Sequence, residues 1–374
     1  MRGFPPILLL LVVAVGVCGT RSLPLGDARR GRALFRSLDC LTCHSIRGEG
    51  DRLAPDLGKR VTRAYSPAEL AGLMWNHGPA MWAAFARRGL ARPEPTEQQV
   101  ADLFTYFFSA GYFDNPGDPR RGGEVFRSRG CAGCHGIDTP LHPLAKPVTA
   151  WRCLDDPVAL AREMWNHYGE MSSALAVRRI PYPRLAARDL ADLLAHLRSL
   201  PQLRGRQTSL APASAETGQA LYQAKGCAGC HRGALALEDR PTRYSLTEFA
   251  AAMWNHPART PGALGPLTQE EMSGVVGYLF SRQFFEERGD VERGQRVYAR
   301  KKCAACHDQA LSGAPPASRM AGRMTSYGMV AALWRHGPAM EARMRQLRIA
   351  WPRFDGTEMA DLTAYLHGRE FKRR

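Results

Sequence analysis

The sequence predicts an all-α fold built of four similar units in tandem. A pattern of two cysteines and a histidine, C-x-x-C-H, occurs four times, and its first cysteines are separated by steps of 91, 96 and 76 residues. Around each copy, apolar residues recur at the spacing of an amphipathic helix, and no stretch alternates like a half-buried strand. Self-similarity over such a period indicates repeated structural units. Each step is long enough for one small domain with its own core.

Each unit is expected to open with a short helix. A glycine precedes the first cysteine by nine residues, and an aromatic residue precedes it by five. An acid or hydroxyl upstream can cap the first turn. The glycines are Gly31, Gly122, Gly218 and Gly294, the aromatics Phe35, Phe126, Tyr222 and Tyr298, and the caps Asp27, Asp118, Thr217 and Asp290.

A second shared block, centred on Trp-x-His, predicts a middle helix that begins at caps such as Ser66 and Ser245. Each unit then closes on a helix with an apolar stripe. Joins rich in proline, glycine or polar residues separate the units. The expected domains are 27–114, 115–201, 202–286 and 287–374.

The C-x-x-C-H pattern carries specific chemistry. Two thiols three positions apart can each bond one vinyl group of a haem, and the adjacent histidine can bind its iron. A zinc half-site or a redox cysteine pair does not require that histidine in every copy. The predicted attachment residues are Cys40, Cys43, Cys131, Cys134, Cys227, Cys230, Cys303 and Cys306, and the predicted proximal ligands are His44, His135, His231 and His307.

The helix with glycine and aromatic, the haem motif, a later methionine and the closing helix together resemble the class I c-type cytochrome domain, four times over 27–374. The resemblance implies a tetrahaem protein, each domain wrapped around one covalent haem c. It also implies that the opening helix, at Gly31 and Phe35, crosses the closing helix at Leu103 and Tyr106. In the first domain it implies that the carbonyl of Pro55 holds the proximal histidine; repeats two and three have no obvious counterpart.

The sixth iron ligand has two candidates in most units. Methionine, the usual ligand of the family, stands four residues after the Trp-x-His histidine in repeats one, two and four, and His77, His167 and His336 are the alternatives. Repeat three lacks seven residues here, so its haem takes His256, takes Met253 or stays open. The preferred ligands are Met81, Met171, His256 and Met340.

The first 26 residues have the shape of a secretory signal, with Cys18 as a candidate lipidation or anchor residue. Export to the bacterial periplasm or the outer face of the membrane fits haem attachment.

Cys153 is expected to be a buried free thiol, with a disulfide to Cys18 as the alternative. The block tryptophans are expected to pack against the haem.

A net charge of +16 favours acidic redox partners. No basic run is interleaved with stacking aromatics, so nucleic acid is not an expected partner.

We expect an electron carrier, not an enzyme, that relays single electrons between a membrane or periplasmic donor and an acceptor. The alternatives are a haem enzyme with an open iron in repeat three and a fixed subunit of a larger, membrane-held redox complex.

Overall fold

The fold is known from a computed structural model, and it is built almost wholly of helices. The structure describes residues 23–46, 48–58, 65–111, 117–154, 156–203, 215, 217–237, 244–257, 265–283, 288–308, 314–320 and 324–368. The predicted signal segment, with Cys18, lies outside these residues. We use the word repeat for the four predicted units, numbered in chain order.

The helices follow the same order in every repeat: opening, middle and closing. Repeat one has α1 (Ala28–Ser37), a two-residue hairpin of β1 (Ser45–Ile46) and β2 (Glu49–Gly50), α2 (Pro67–Arg87) and α3 (Glu97–Gly111). Repeat two has α4 (Pro119–Ser128), α5 (Pro157–Val177) and α6 (Ala187–Ser199). Repeat three has α7 (Gly218–Ala224), α8 (Cys227–Cys230), α9 (Leu246–Asn255) and α10 (Gln269–Arg282), and repeat four has α11 (Val291–Arg300), α12 (Ala304–His307), α13 (Ser326–Gln346) and α14 (Glu358–Gly368).

Most of the predicted helix caps are confirmed. Asp27, Asp118 and Asp290 each accept hydrogen bonds from backbone N–H groups of the first turn. Ser66 forms a capping box with Glu69. Thr217 differs, since its side chain makes no cap bond and its helix is only seven residues long. These bonds satisfy backbone donors that a helix start leaves free, which is why the helices begin at these residues.

The opening and closing helices cross at glycine in all four repeats, as predicted. A Cβ on Gly31 would lie 2.0 Å from the Asp102 carbonyl oxygen, and one on Gly122 would lie 1.9 Å from that of Asp192. Gly218 and Gly294 approach their closing helices equally closely. Only glycine permits this separation, which in repeat one brings Phe35 of α1 against Tyr106 of the closing helix.

A buried aspartate fixes this crossing in three repeats. Asp102 accepts the backbone N–H of Asp27 at 2.8 Å and the Arg30 guanidinium at 2.9 Å. Asp192 and Asp361 make the corresponding bonds in repeats two and four. Repeat three has Gly274 at this position. The two hydrogen-bond donors offset the cost of burying the carboxylate, and these bonds hold the opening and closing helices in register.

The middle helices pack across repeats and not only within them. Helix α2 of repeat one lies against α13 of repeat four, and α5 of repeat two lies against α9 of repeat three. One apolar cluster contains buried residues of repeats one and four, including Trp75 and Trp334. Another combines repeat two with Trp254 of repeat three. The expectation that each unit has a wholly independent core is therefore wrong: the repeats are joined as a one/four pair and a two/three pair.

The repeat-three middle helix is short, as its missing residues predict. Helix α9 ends at Asn255, whereas α2, α5 and α13 each have 21 residues. Pro257 follows at once and cannot continue the helix. Thr260 and Pro261, which the sequence also places in this gap, lie outside the described residues.

Among the described residues, no helix has both the length and the apolarity needed to cross a membrane.

Candidate haem-binding sites

The four C-x-x-C-H segments share one backbone conformation. The residue before the first cysteine has positive φ in each: Asp39, Gly130, Gly226 and Lys302. The histidine N–H then donates to the carbonyl of the first cysteine, at 2.9 Å in every repeat. The left-handed residue ends the opening helix, and the following turn brings both cysteines and the histidine to one side. Sequence reasoning missed this element, although the glycines in repeats two and three are a signal for it.

The first cysteine of each motif is half-buried, and its thiol has a raised pKa. Burial raises the pKa of Cys40 to about 12 and those of Cys131 and Cys303 to about 11. Burial also raises the pKa of Cys227. Redox-active pairs and thiolate metal sites need a lowered cysteine pKa. The raised pKa values therefore argue against a redox cysteine pair and against a thiolate metal site. They are consistent with thiols that face an apolar cofactor.

All four proximal histidines are held by a backbone carbonyl through Nδ1. His44 contacts Pro55 at 3.0 Å, as the resemblance implies. The partners in repeats two, three and four are Lys146, Leu235 and Pro315, at 3.0, 3.1 and 2.8 Å. A carbonyl only accepts, so Nδ1 carries the proton and Nε2 keeps its lone pair. The arrangement orients each imidazole as a metal ligand and makes it more basic. Sequence reasoning found no obvious counterpart of this contact in repeats two and three, yet the fold supplies one.

In three repeats a second imidazole faces the proximal one. The ring centroids of His44 and His77 are 6.3 Å apart, and those of His135 and His167 are also 6.3 Å apart. In repeat three, His231 and His256 are 5.9 Å apart. Burial lowers the pKa of His77, and the neighbouring His44 lowers it further. The middle segment therefore presents its histidine to the proximal one: His77 and His167 are the alternative ligands of repeats one and two, and His256 is the preferred ligand of repeat three.

The methionines are half-buried one turn further along the middle helices. Met81 and Met340 pack against the apolar cluster shared by repeats one and four, and Met171 packs against that of repeats two and three. Met253 packs against the shared clusters of repeats two and three. The assignment of Met81, Met171 and Met340 as ligands stays a prediction.

Repeat two contains a cavity of about 380 Å³ that fits a flat apolar cofactor. Cys131, Cys134 and His135 line one side, and His167 and Met171 line another. Arg129, Lys146 and Arg152 are also at its wall and are suited to haem carboxylates. The residues at this site therefore fit a covalently attached haem.

The block tryptophans of repeats one to three also contact a neighbouring repeat, and their expected packing against a haem stays a prediction. Trp254 of repeat three lines the repeat-two cavity and donates its indole N–H to Pro183 of repeat two at 2.8 Å. Trp75 donates to Pro352 of repeat four, and Trp165 to Gly265 of repeat three. An indole buried at an interface needs a partner for its N–H, and the neighbouring repeat supplies one.

The asparagine beside each of these tryptophans is a structural residue that sequence reasoning missed. Asn76 pairs with both the N–H and the carbonyl of Phe354, each at 2.8 Å. Asn166 pairs in the same way with Leu267, and Asn255 with Leu185. Recurrence of Trp-Asn in three of the four blocks is the signal that marks it. In repeat four the position is Arg335.

Cys153 is buried, as expected, while Cys18, its alternative disulfide partner, lies outside the described residues.

Comparison with known proteins identifies two regions of the chain. Residues 28–110 and 291–370 match the family model described as Cytochrome c. Neither a curated protein nor a solved structure matches the chain. The two matched regions are repeats one and four, the members of one pair. The match and the geometry of the sites together support a c-type cytochrome, a haem protein of electron transfer.

Proposed function

We propose that the chain is a tetrahaem c-type cytochrome of four tandem domains that relays single electrons between a donor and an acceptor protein. The observation that carries the proposal is the fourfold recurrence of one site geometry: a left-handed residue, two cysteines and a histidine held through Nδ1. Haem c bound there supplies a one-electron couple. The middle repeats carry the same geometry as the two that match the Cytochrome c family.

The pairing of repeats supports a relay. Trp254 of repeat three lines the cavity of repeat two, so a haem in that cavity contacts the next repeat. Helices α2 and α13 likewise bring the middle segments of repeats one and four together. Cofactors held at such packed interfaces exchange electrons without a bond being made or broken.

Location and partners are part of the same proposal. The signal-like first 26 residues favour export to the periplasm or the outer face of the membrane. The net charge of +16 favours acidic docking proteins, because opposite charge accelerates association. Electron transfer to an acidic partner should slow as ionic strength rises, which stopped-flow measurement checks.

The haem-enzyme alternative needs an iron with an open position, most simply in repeat three. His256 lies opposite His231 at 5.9 Å between ring centres. This contact favours an electron carrier over an enzyme at that haem.

Mass spectrometry of the denatured protein tests haem number. We expect the polypeptide with four haems, and three after Cys227→Ala with Cys230→Ala. Cys153→Ala is the matched control, since this thiol is outside the motifs, and it should keep all four. Fewer than four haems in the unmodified, fully matured protein would overturn the tetrahaem proposal.

A further inference from the structure

The facing imidazoles of repeats one to three have the separation of two ligands on one metal. Metal–imidazole bonds are about 2 Å long, so two axial imidazoles have ring centres about 6 Å apart once the ring radii are added. The observed separations are 6.3, 6.3 and 5.9 Å. Each pair of rings is therefore spaced so that the two imidazoles could both bind the iron of a haem.

Two of these distal histidines are also oriented by neighbours. The Nδ1 atom of His167 lies 3.2 Å from Oε2 of Glu170. This contact places the proton on Nδ1 and leaves the lone pair of Nε2 available to bind a metal, as in the proximal histidines. The ring of His256 packs at 5.3 Å on Trp165 of the neighbouring repeat.

The methionines have a different environment from the histidines. Met81 packs against the shared cluster of repeats one and four, which is the interface between repeats. Met171 lines the repeat-two cavity together with His167, so it competes directly for the same haem. The two residues are one turn apart on one helix face, and only one can complete the coordination of the iron.

Repeat four is different. Its block reads Leu333-Trp334-Arg335-His336, without the asparagine that ties the other blocks to a neighbouring loop. His336 is exposed, as His77 is, but within the described part of the chain it does not make the ring contact with His307 that the other repeats show. Met340, one turn later, is half-buried on the same cluster as Met81, so what distinguishes repeat four is the missing histidine contact and not the methionine.

From these contacts, and resting on the proposed function, we infer that haems one, two and three are held by two histidines and that haem four alone takes methionine. The distal ligands are His77, His167, His256 and Met340. The odd haem is thus the fourth, not the third as the sequence suggested.

The assignment has a consequence for the direction of electron flow. Methionine opposite histidine raises the potential of a haem relative to two histidines. Haem four is therefore the highest in potential, and electrons entering elsewhere collect there. Its partner in the one/four pair, repeat one, would hold a bis-histidine haem of lower potential.

The test uses the methionine-to-ferric-iron charge-transfer band, which bis-histidine haems lack. The oxidised protein should show this band at the amplitude of one haem in four. Met340→Leu should abolish it, whereas the matched controls Met81→Leu and Met171→Leu should leave it unchanged. Leucine is close to methionine in volume, so all three variants should fold.

A second measurement addresses the histidines. His167→Ala combined with Met171→Leu should open one ferrous haem to carbon monoxide, while Met171→Leu alone should open none. Loss of band amplitude in Met81→Leu or Met171→Leu, or absence of the band from the unmodified protein, would overturn the ligand assignment. Haem number by mass spectrometry reports on the proposed function alone: four haems with the wrong band pattern refute only the assignment, and missing haems refute the function.

Discussion

The two pairs of repeats use the same block of sequence to make different interfaces. In the two/three pair the contact is reciprocal: Asn166 bonds Leu267, and Asn255 bonds Leu185. In the one/four pair only repeat one supplies an asparagine, Asn76, which bonds Phe354 of repeat four. The matching position of repeat four is Arg335, which forms an ion pair with Glu94 of repeat one at 3.8 Å. The two/three pair therefore has asparagine hydrogen bonds in both directions, whereas the one/four pair has them in one direction and an ion pair in the other.

Aromatic packing compensates in the one/four pair. Trp351 stacks on Trp75 at 5.0 Å and meets Trp82 edge-on at 5.5 Å. Tyr182 holds the corresponding place in repeat two and donates its hydroxyl to the Trp254 carbonyl at 3.0 Å. The comparison teaches that a repeat interface can exchange buried hydrogen bonds for aromatic area and keep the same helix pairing.

The largest expected effect comes from the helix crossings. Gly122→Ala places a Cβ against the Asp192 carbonyl and should cost about 3 kcal/mol or more, seen as unfolding of the two/three pair. Gly31→Ala should do the same to the one/four pair. The measurement is urea unfolding with proteolysis to map the pair that opens.

Gly169→Ala in α5 is the control for these substitutions. A Cβ at Gly169 meets nothing within 4 Å, so alanine should stabilise the helix by up to about 1 kcal/mol. If Gly31→Ala and Gly122→Ala shift one common transition equally, the pairs are not separate units.

Trp351→Ala should remove about 3 kcal/mol from the one/four pair, because it deletes the centre of the aromatic cluster. Tyr182→Phe, at the matching place in repeat two, deletes only a hydroxyl and should cost about 1 kcal/mol. Thermal unfolding of the two variants side by side compares the pairs. Equal losses would mean that aromatic packing does not distinguish them.

Asn255→Ala and Arg335→Ala change the same position of the block in the two pairs. The asparagine loses paired bonds to Leu185 and should cost about 2 kcal/mol. The arginine loses an exposed ion pair, which contributes about 0.2–1 kcal/mol. Denaturant midpoints measure both, and a larger loss for Arg335→Ala would contradict the proposed asymmetry.

The smallest effect is on acid stability. Burial works to raise the pKa of Asp361, but the Arg293 bond and the Asp290 N–H outweigh it, so the pKa lies below the ordinary 3.8. A depressed folded-state pKa stabilises the protein above pH 3.8, and this contribution is lost as pH falls through the folded value. Asp361→Asn should therefore flatten the fall in urea midpoint between pH 5 and pH 3. Gly274→Ala in repeat three, which has no carboxylate here, should leave the slope unchanged.

The sequence by itself was sufficient for the local elements and for the chemistry of attachment. The cap residues, the crossing glycines and the shortened α9 follow from propensity and spacing, which act over a few residues. The haem motif is local too, since its two cysteines and its histidine need only one turn to come together.

Only the tertiary structure decided which repeats pair and which side chain faces the proximal histidine in repeats one to three. His77 and Met81 lie on one face of one helix, and no spacing rule separates them; the choice depends on how α2 is rotated by its packing on α13. The tryptophan and asparagine contacts likewise join residues that are distant in the chain, such as Asn76 and Phe354. Such contacts depend on the packing of whole repeats, and local sequence preferences do not encode it.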